Sequence, residues 1–188
     1  ERLARECAST AMVVCMHYAA AAVIEAHGPR IAREAIAAGK HVSTLAFSEA
    51  GSRSHFWAPV STAAAVAGNG HVQLDAKKSW ITSANQADSY VWSSRPLAAE
   101  GLSSLWIVPS QTPGLSLAAK YEGLGLRGNG SAPIIAKDVL IPAGNLLGED
   151  GKGFDVMMGV VMPFFSIQNC AVSLGMMEGA FARTIAHV

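Results

Sequence analysis

The segment that decides the fold reads KSWITS and occupies residues 78–83. Its aromatic and β-branched residues predict a strand, and in an extended strand residues two apart lie on the same face. We therefore expect Trp80 and Thr82 to point to one side and Ile81 to the other. A large ring beside a hydroxyl group offers a stacking surface and one directed hydrogen bond, which suits a planar heteroaromatic ligand. A tryptophan in a strand is also a common core residue, so both interpretations stand at this point.

Short runs of strand-forming residues surround this segment. Turn residues separate them, and the sequence Gly68-Asn69-Gly70 predicts a hairpin because glycine and asparagine tolerate a positive φ. Many short, regularly punctuated strands are typical of an antiparallel sandwich or barrel. The predicted strands are 42–48, 60–66, 71–75, 79–83, 89–94, 102–109 and 133–139.

Helical patterns flank the strands. Residues 3–27 are mostly apolar and predict one buried helix, and Pro29 and Gly39 bracket a shorter second helix. Helical spacing returns after Gly153, with a kink expected at Pro163. The predicted class is α+β: a helical segment at residues 1–40, a central antiparallel β-barrel or sandwich domain at 41–142, and at 143–188 a linker and the long helix that begins a C-terminal helical domain. Since the chain opens without a helix cap, we expect it to be part of a longer protein.

The composition restricts the kinds of partner. The 188 residues include 14 basic and 14 acidic ones with no basic run, which argues against a nucleic-acid surface. Hydrophobic residues make up 51%, yet no uninterrupted apolar run approaches the ~20 residues of a membrane span, so no span is predicted. The apolar surplus predicts a large core or a surface covered by another subunit. The sparse cysteines, Cys7, Cys15 and Cys170, favour a reducing compartment, and we expect a cytoplasmic protein.

Several common kinds of site have no matching pattern. The histidines and cysteines show no metal-ligand spacing, so no metal site is predicted. Glycine-rich segments at 123–130 and 148–153 lack the strand-glycine-helix arrangement of nucleotide loops, and no Gly-x-Ser-x-Gly elbow is present. What stands out is the segment LAFSEAGSRS at residues 45–54, where a strand runs into a turn rich in hydroxyl groups and backbone donors.

Six segments follow one another in a specific order. They are LAFSEAGSRS (45–54), WIT (80–82), PGLS (113–116), GLGLR (123–127), DVLIP (138–142) and LLGEDGKGF (146–154). This ordered series resembles the acyl-CoA dehydrogenase family. The resemblance covers nearly the whole chain and corresponds to the middle β-domain with flanking helices, which implies a fragment of the full family chain.

The resemblance implies an FAD cofactor. The implied cofactor contacts are Leu45, Phe47, Ser48, Ser54, Trp80, Ile81 and Thr82. The first three would hold the pyrimidine edge of the isoalloxazine, and the fourth would lie near the pyrophosphate and the substrate thioester. Trp80 would stand beside the flavin, and Thr82 would bond near N5, the atom that receives the substrate hydride.

The same resemblance implies an acyl thioester substrate and an oligomeric protein. Ser54 would lie near the thioester, and Met158, Met162 and Phe165 are substrate candidates on a methionine and phenylalanine stripe of the long helix. Such a stripe is either core or the lining of an adaptable apolar pocket. The expected assembly is a homo-oligomer (dimer or tetramer) or a heteromer.

The flavin turn departs from the family pattern. Where family members usually carry proline, glycine and aspartate, this chain has Ala50, Arg53 and His55. The guanidinium of Arg53 offers a fork of donors to phosphate oxygens, and the alternative is a solvated arginine. Both interpretations stay open.

The catalytic base has no candidate in this chain. Family members carry an aspartate and then an arginine on the long helix, and this chain reads Pro163-Phe164-Phe165-Ser166 there. Asp155 and Glu178 lie about ten or more residues from that position, which at 1.5 Å rise per residue is too far. By resemblance, the carboxylate that removes the α-proton is expected beyond residue 188.

These observations leave three hypotheses. The first is a flavin-dependent oxidoreductase of fatty acid metabolism that oxidises an acyl thioester at Cα–Cβ, with hydride transfer to FAD N5. The second is a flavin-dependent monooxygenase on the same fold, which requires no carboxylate base. The third is a non-catalytic subunit of a heteromeric acyl-CoA dehydrogenase-like complex.

Overall fold

The computed structural model describes residues 1–53, 55–119 and 124–187. In these ranges three α-helices come first, seven strands follow, and two α-helices come last. The helices are α1 (Arg2–Glu6), α2 (Ala8–His27), α3 (Arg30–Ala37), α4 (Gly153–Val156) and α5 (Met162–His187). The strands are β1 (Ser43–Ala46), β2 (Thr62–Val66), β3 (His71–Ile81), β4 (Ser89–Ser94), β5 (Ser104–Pro109), β6 (Leu115–Leu117) and β7 (Ala132–Pro142). Single turns of 3-10 helix lie at Ala50–Ser52, Arg127–Asn129 and Ala143–Asn145.

The strands form two open sheets, which confirms the predicted α+β class with a central β-domain. One sheet has the order β1-β4-β5 and the other β2-β3-β7-β6. Neither sheet is closed into a barrel. All the pairings are antiparallel except that of β1 with β4, which is parallel. The domain boundaries at residues 40 and 142 stay predictions.

Two layers of the core lie on the two faces of the three-stranded sheet, and a third cluster, Ala4, Ala11, Cys15 and Val172, lies between the helices. Between the two sheets, Trp92 and Trp106 pack with Leu74 and Ile134 of the facing strands. On the opposite face, Val23 and Ile24 of α2 belong to the cluster formed with the apolar residues of β1, β4 and β5. Because β4 is covered on both faces, all six of its residues are buried, so its sequence does not alternate.

Two secondary structure predictions differ from the observed backbone. The predicted strands 71–75 and 79–83 are one strand, β3, because Ala76, Lys77 and Lys78 pair with β7 and carry the strand across residues of weak β-propensity. The predicted helix 3–27 is broken at Cys7, whose backbone is extended with φ −147° and ψ 102°. The three residues of β6 were not predicted.

The long C-terminal helix accommodates Pro163 by a change in hydrogen bonding. The five residues Met157–Val161 form a π-helical turn between α4 and α5. A proline inside a helix lacks the amide donor and crowds the carbonyl of the preceding turn, and a π turn relieves this strain. The structure thus has a wide turn just before the position where we predicted a kink.

Two helices meet the length and hydropathy criteria for a membrane span. They are 8–27 and 153–187, with mean hydropathies of 1.4 and 1.5. Within the protein, α2 buries Cys15, Ala19 and Val23, among others. Length and composition do not separate a core helix of this kind from a span, so the absence of a span stays a prediction.

Candidate functional site

An apolar pocket of about 240 Å³ lies where the helices meet the β-domain. Its walls come from α2, from the end of β1, from the end of β3 and from the start of α5. The lining residues are Met16, Leu45, Phe47, Ser48, Phe56, Trp80, Ile81, Val161, Met162 and Phe165. Seven of the sequence-predicted residues are therefore brought together here: Leu45, Phe47, Ser48, Trp80, Ile81, Met162 and Phe165.

Backbone pairing joins the two strand ends that form the site. The Ser79 amide donates to the Ser48 carbonyl at 2.9 Å. The next residue, Glu49, forms an isolated antiparallel bridge with Lys78. The turn that follows β1 is thus held against the last residues of β3, and this explains why segments 45–48 and 80–81 share one pocket.

Trp80 stands at the pocket in an unusual backbone conformation. Its φ is +59°, in the left-handed region, and the β3–β7 register shifts between Lys78 and Ile81. A non-glycine residue in such a conformation costs on the order of 1–3 kcal/mol, a strain that proteins keep mainly at functional sites. The Trp80 side chain is also 65% exposed, so the core interpretation of this ring is wrong.

This bulge interrupts the alternation that the sequence predicts. Trp80 and Ile81 both line the pocket, whereas we expected them on opposite faces. Thr82 lies after the end of β3, is 5% exposed and is not among the lining residues. The expectation that Trp80 and Thr82 share a face fails because it required a regular extended backbone.

A second, more polar pocket of about 350 Å³ adjoins the first. The two share Ser48, Phe56 and Trp80. Arg53, also left-handed with φ +52°, brings a cation into the polar pocket, and Ser52 contributes to its wall. An apolar slot that opens past an exposed ring into a polar pocket with an arginine fits a planar ring system attached to phosphate groups.

An aromatic cluster closes one side of both pockets. The Phe47 and Phe56 rings are stacked with centroids 6.5 Å apart, and Trp57 meets Phe56 edge-on at 5.0 Å. His55 stacks on Trp57 at 5.0 Å. The sequence reasoning missed Phe56. Its signal was the triplet His55-Phe56-Trp57 directly after the turn.

A buried ion pair lies under the polar pocket. Lys78 Nζ is 2.5 Å from Glu49 Oε1, and the two side chains are 0% and 1% exposed. Burial lowers the pKa of Lys78 to about 8, against the attraction of Glu49. For Glu49, burial raises the pKa, but Lys78 and the hydrogen bonds outweigh it and leave the pKa below its usual value. Each group thus favours the charged form of the other.

The other predicted residues lie away from the pocket or outside the described residues. Met158 is partly buried, packs against the cluster between α2 and the three-stranded sheet, and does not line the pocket. Ser54 lies outside the described residues. Among the described residues, Glu49 is the single acidic residue at the wall of either pocket, and its carboxylate is buried and bonded to Lys78. No group of three potential metal ligands was found in the described part of the chain.

Comparison with known proteins gives matches over the whole β-domain. A family model described as "Acyl-CoA dehydrogenase, middle domain" matches residues 44–139. The short-chain specific acyl-CoA dehydrogenase of Homo sapiens mitochondria is 34% identical over 166 residues, which cover 84% of this chain and 40% of that protein. The cyclohexane-1-carbonyl-CoA dehydrogenase of Syntrophus aciditrophicus is 32% identical over 197 residues, with 97% and 48% covered.

Solved structures show the same fold. Butyryl-CoA dehydrogenase from Megasphaera elsdenii superposes with a TM-score of 0.88 at 24% identity, and the match covers 98% of this chain and 49% of that one. The chain therefore spans about half the length, or less, of the proteins that it matches.

Proposed function

This chain belongs to the acyl-CoA dehydrogenase family, and on that premise we propose that it forms the flavin-facing part of an enzyme that oxidises an acyl thioester at Cα–Cβ. One observation carries the proposal: the apolar and polar pockets meet at the exposed ring of Trp80. The relatives named above are dehydrogenases of CoA thioesters, which supports this reaction class. Their greater length means that the substrate and partners of the whole protein belong to the proposal.

The residues of the two pockets have distinct roles in this proposal. FAD, when bound, supplies the acceptor for the substrate hydride at N5. Trp80 stacks beside the ring system, the segment Leu45–Ser48 offers it backbone and hydroxyl groups, and Arg53 binds the phosphate groups. Thr82 is proposed to act near N5, and Ser54 near the pyrophosphate and the thioester.

The apolar wall of the pocket serves the acyl group. Met162 and Phe165 line it with Met16, and side chains of this kind exclude water and adapt to the shape of an apolar chain. The α-proton requires a carboxylate, and no described residue that lines the apolar pocket is acidic. We place that base outside residues 1–188.

The test is flavin binding by the full-length apoprotein, titrated with FAD and followed by flavin fluorescence. Trp80→Ala should weaken binding about tenfold, because loss of one stacking ring removes on the order of 1 kcal/mol or more. Tyr18→Ala is the matched control, since this ring on α2 is 55% exposed, as Trp80 is 65% exposed, and lines neither pocket. A folded wild-type protein that binds no FAD would refute the proposal.

The alternatives have less support. The named relatives are dehydrogenases, and none of these names describes a monooxygenase or a non-catalytic subunit. Enoyl product formed from an acyl-CoA by the full-length protein with an artificial electron acceptor would exclude both. Oxygen uptake that depends on an external reductant, without enoyl product, would instead favour the monooxygenase.

Assembly and location complete the proposal. We propose a homo-oligomer or a heteromer in the cytoplasm. Large apolar side chains on α5 support a covered surface, because such a patch is rare on a monomer. They are Ile167, Met177, Phe181 and Ile185, each at least 60% exposed. Light scattering on the full-length protein measures the assembly, and a monomer would contradict it.

A further inference from the structure

Lys78 is a cation sealed inside the β-domain, two residues before Trp80. Its ammonium group donates to Glu49 Oε1 at 2.5 Å, to the Ser93 carbonyl at 2.7 Å and to Ser93 Oγ at 2.9 Å. The Trp92 ring lies 5.1 Å from the same nitrogen. Ser61 Oγ lies 3.4 Å from it as well. The ammonium group of β3 therefore has partners on the turn after β1, on the segment before β2 and on β4.

Glu49 strengthens the connection to the segment before β2. Its Oε2 accepts hydrogen bonds from the Val60 amide at 2.7 Å and the Ser61 amide at 3.0 Å. Its Oε1 also accepts the Ser61 hydroxyl at 2.5 Å. The carboxylate thus uses both oxygens to hold the segment that leads into β2 while its backbone begins the turn at residues 48–52.

The pair stands directly behind the wall shared by the two pockets. Ser48 and Glu49 begin the turn on one side, and Ser79 and Trp80, which follow Lys78 near the end of β3, line the polar pocket on the other. The described backbone links between these sides are the Ser79 to Ser48 hydrogen bond and the bridge of Glu49 with Lys78. The ion pair is the side-chain link across the same gap.

Stability alone is a poor explanation for such a pair. Removing two charges from water is costly, and buried ion pairs are often replaced by apolar residues with no loss of stability. What a hydrogen-bonded pair does provide is a defined direction and distance between the groups that it joins. An apolar pair would fill the same volume and would allow the turn to shift along the strand.

We propose that Lys78 and Glu49 are positioning residues, which hold the turn at residues 48–52 in register with Trp80 and so set the geometry of the two pockets. Neither side chain reaches the ligand, because both are buried behind the wall. The part of this inference that concerns flavin affinity rests on the proposed function. The part that concerns the turn does not.

The decisive variant is Lys78→Met with Glu49→Gln. It removes both charges, while the glutamine oxygen still accepts from the Val60 and Ser61 amides. Hydrogen exchange of the full-length protein, followed by mass spectrometry, measures opening of the turn through the Ser52 and Ser79 amides, which bond to Glu49 and Ser48 carbonyls. We expect exchange of these amides about tenfold faster and FAD affinity about tenfold lower, with little change in the thermal midpoint.

Asp150→Asn is the matched control. Asp150 accepts hydrogen bonds from the amides of Leu97, Ala98 and Ala99 at 2.8 Å, and it lines neither pocket. This variant should lower the thermal midpoint and leave both the turn exchange and the FAD affinity at wild-type values. This control distinguishes a general loss of stability from a displacement of the turn at residues 48–52.

Each outcome bears on one of the two proposals. Turn exchange within about twofold of wild type in the double variant overturns the inference, whatever the flavin affinity. If the wild-type protein binds no FAD but the double variant shows faster exchange in the turn, the positioning role is supported and only the proposed function is refuted. If the double variant does not fold, Lys78→Gln with Glu49→Gln carries the same comparison, because it also removes both charges and leaves no unpaired ion in the interior.

Discussion

We expect the folded protein to be more stable with glycine than with alanine at position 80. At an ordinary strand position alanine is the more stabilising of the two. Trp80 has φ +59°, where a side chain with a Cβ atom is strained and glycine is not. The left-handed conformation costs a non-glycine residue about 1–2 kcal/mol. Glycine loses about 0.5–1 kcal/mol relative to alanine through its greater freedom in the unfolded chain. The difference predicts that Trp80→Gly is more stable than Trp80→Ala by about 0.5–1 kcal/mol.

The lost contacts of the Trp80 ring do not affect the difference in stability between the two variants, because both variants lose the same ring. Urea unfolding of the full-length apoprotein gives the two free energies of unfolding at equal slopes. Ala64 of β2 supplies the reference, since it is an exposed residue of an extended strand paired with Gln73. Ala64→Gly should cost about 0.5–1 kcal/mol. The sign of the glycine effect should therefore reverse between the two positions.

The same two variants separate stability from ligand binding. Trp80→Gly and Trp80→Ala should lose FAD affinity to a similar extent, because binding depends on the ring and stability on the backbone. The reasoning would be refuted if Trp80→Gly proved less stable than Trp80→Ala by the amount measured for glycine at Ala64. That result would mean that residue 80 continues a regular strand.

Three further predictions test other parts of the fold. Hydrogen bonds from three backbone amides and the Ser104 hydroxyl lower the pKa of Asp150 to about 2, although burial raises it. The stabilisation of the fold by this carboxylate is therefore complete above pH 3.8, its ordinary pKa, and is lost as the pH falls towards 2. Asp150→Asn should cost about 1 kcal/mol at pH 7 in urea unfolding, since the carboxylate is partly solvated, and the cost should vanish at pH 2. Gly175→Ala would place a Cβ 2.2 Å from the Glu1 carbonyl oxygen and should lower the thermal midpoint by several degrees. Gly159→Ala is the control, because its Cβ meets nothing within 4 Å, and its midpoint should not change. Equal midpoints of the two variants would contradict this packing of α1 on α5. Because burial lowers the pKa of Lys78 from 10.5 to about 8, the unfolded chain binds more protons between these values, and this group makes the free energy of unfolding rise with pH there. Lys78→Met should remove that rise, and an unchanged pH dependence would show that Lys78 is not sealed from water.

Much of the β-domain could be predicted from local sequence. The strand 89–94 has the predicted bounds, because six consecutive residues suited to burial lie between turn residues. Segments 45–48 and 80–81 were both predicted to contact one ligand, and they do line one pocket. The parallel pairing of β1 with β4 was not predictable from either strand, since pairing partners 46 residues apart in the chain leave no local pattern.

Some residues of the site were not predicted because their role depends on contacts with residues distant in the sequence. Phe56 became part of the pocket because it stacks on Phe47. No local signal marked Glu49 and Lys78 as a buried pair, because Lys78 follows Lys77 and Asp75 in the sequence and Glu49 lies in a serine-rich segment. The two residues are 29 positions apart, so only the tertiary structure brings them together.

The sequence KSWITS by itself determined that this segment would form a strand, because composition and period are local properties. Only the tertiary structure decided which face each residue takes. Pairing of β3 with β7 shifts its register before Ile81 and turns Trp80 to a positive φ. Trp80 and Ile81 consequently line the pocket together, and Thr82 lies beyond the end of the strand. A period of two holds only while the ladder is regular, and the regularity of a ladder depends on its partner strand.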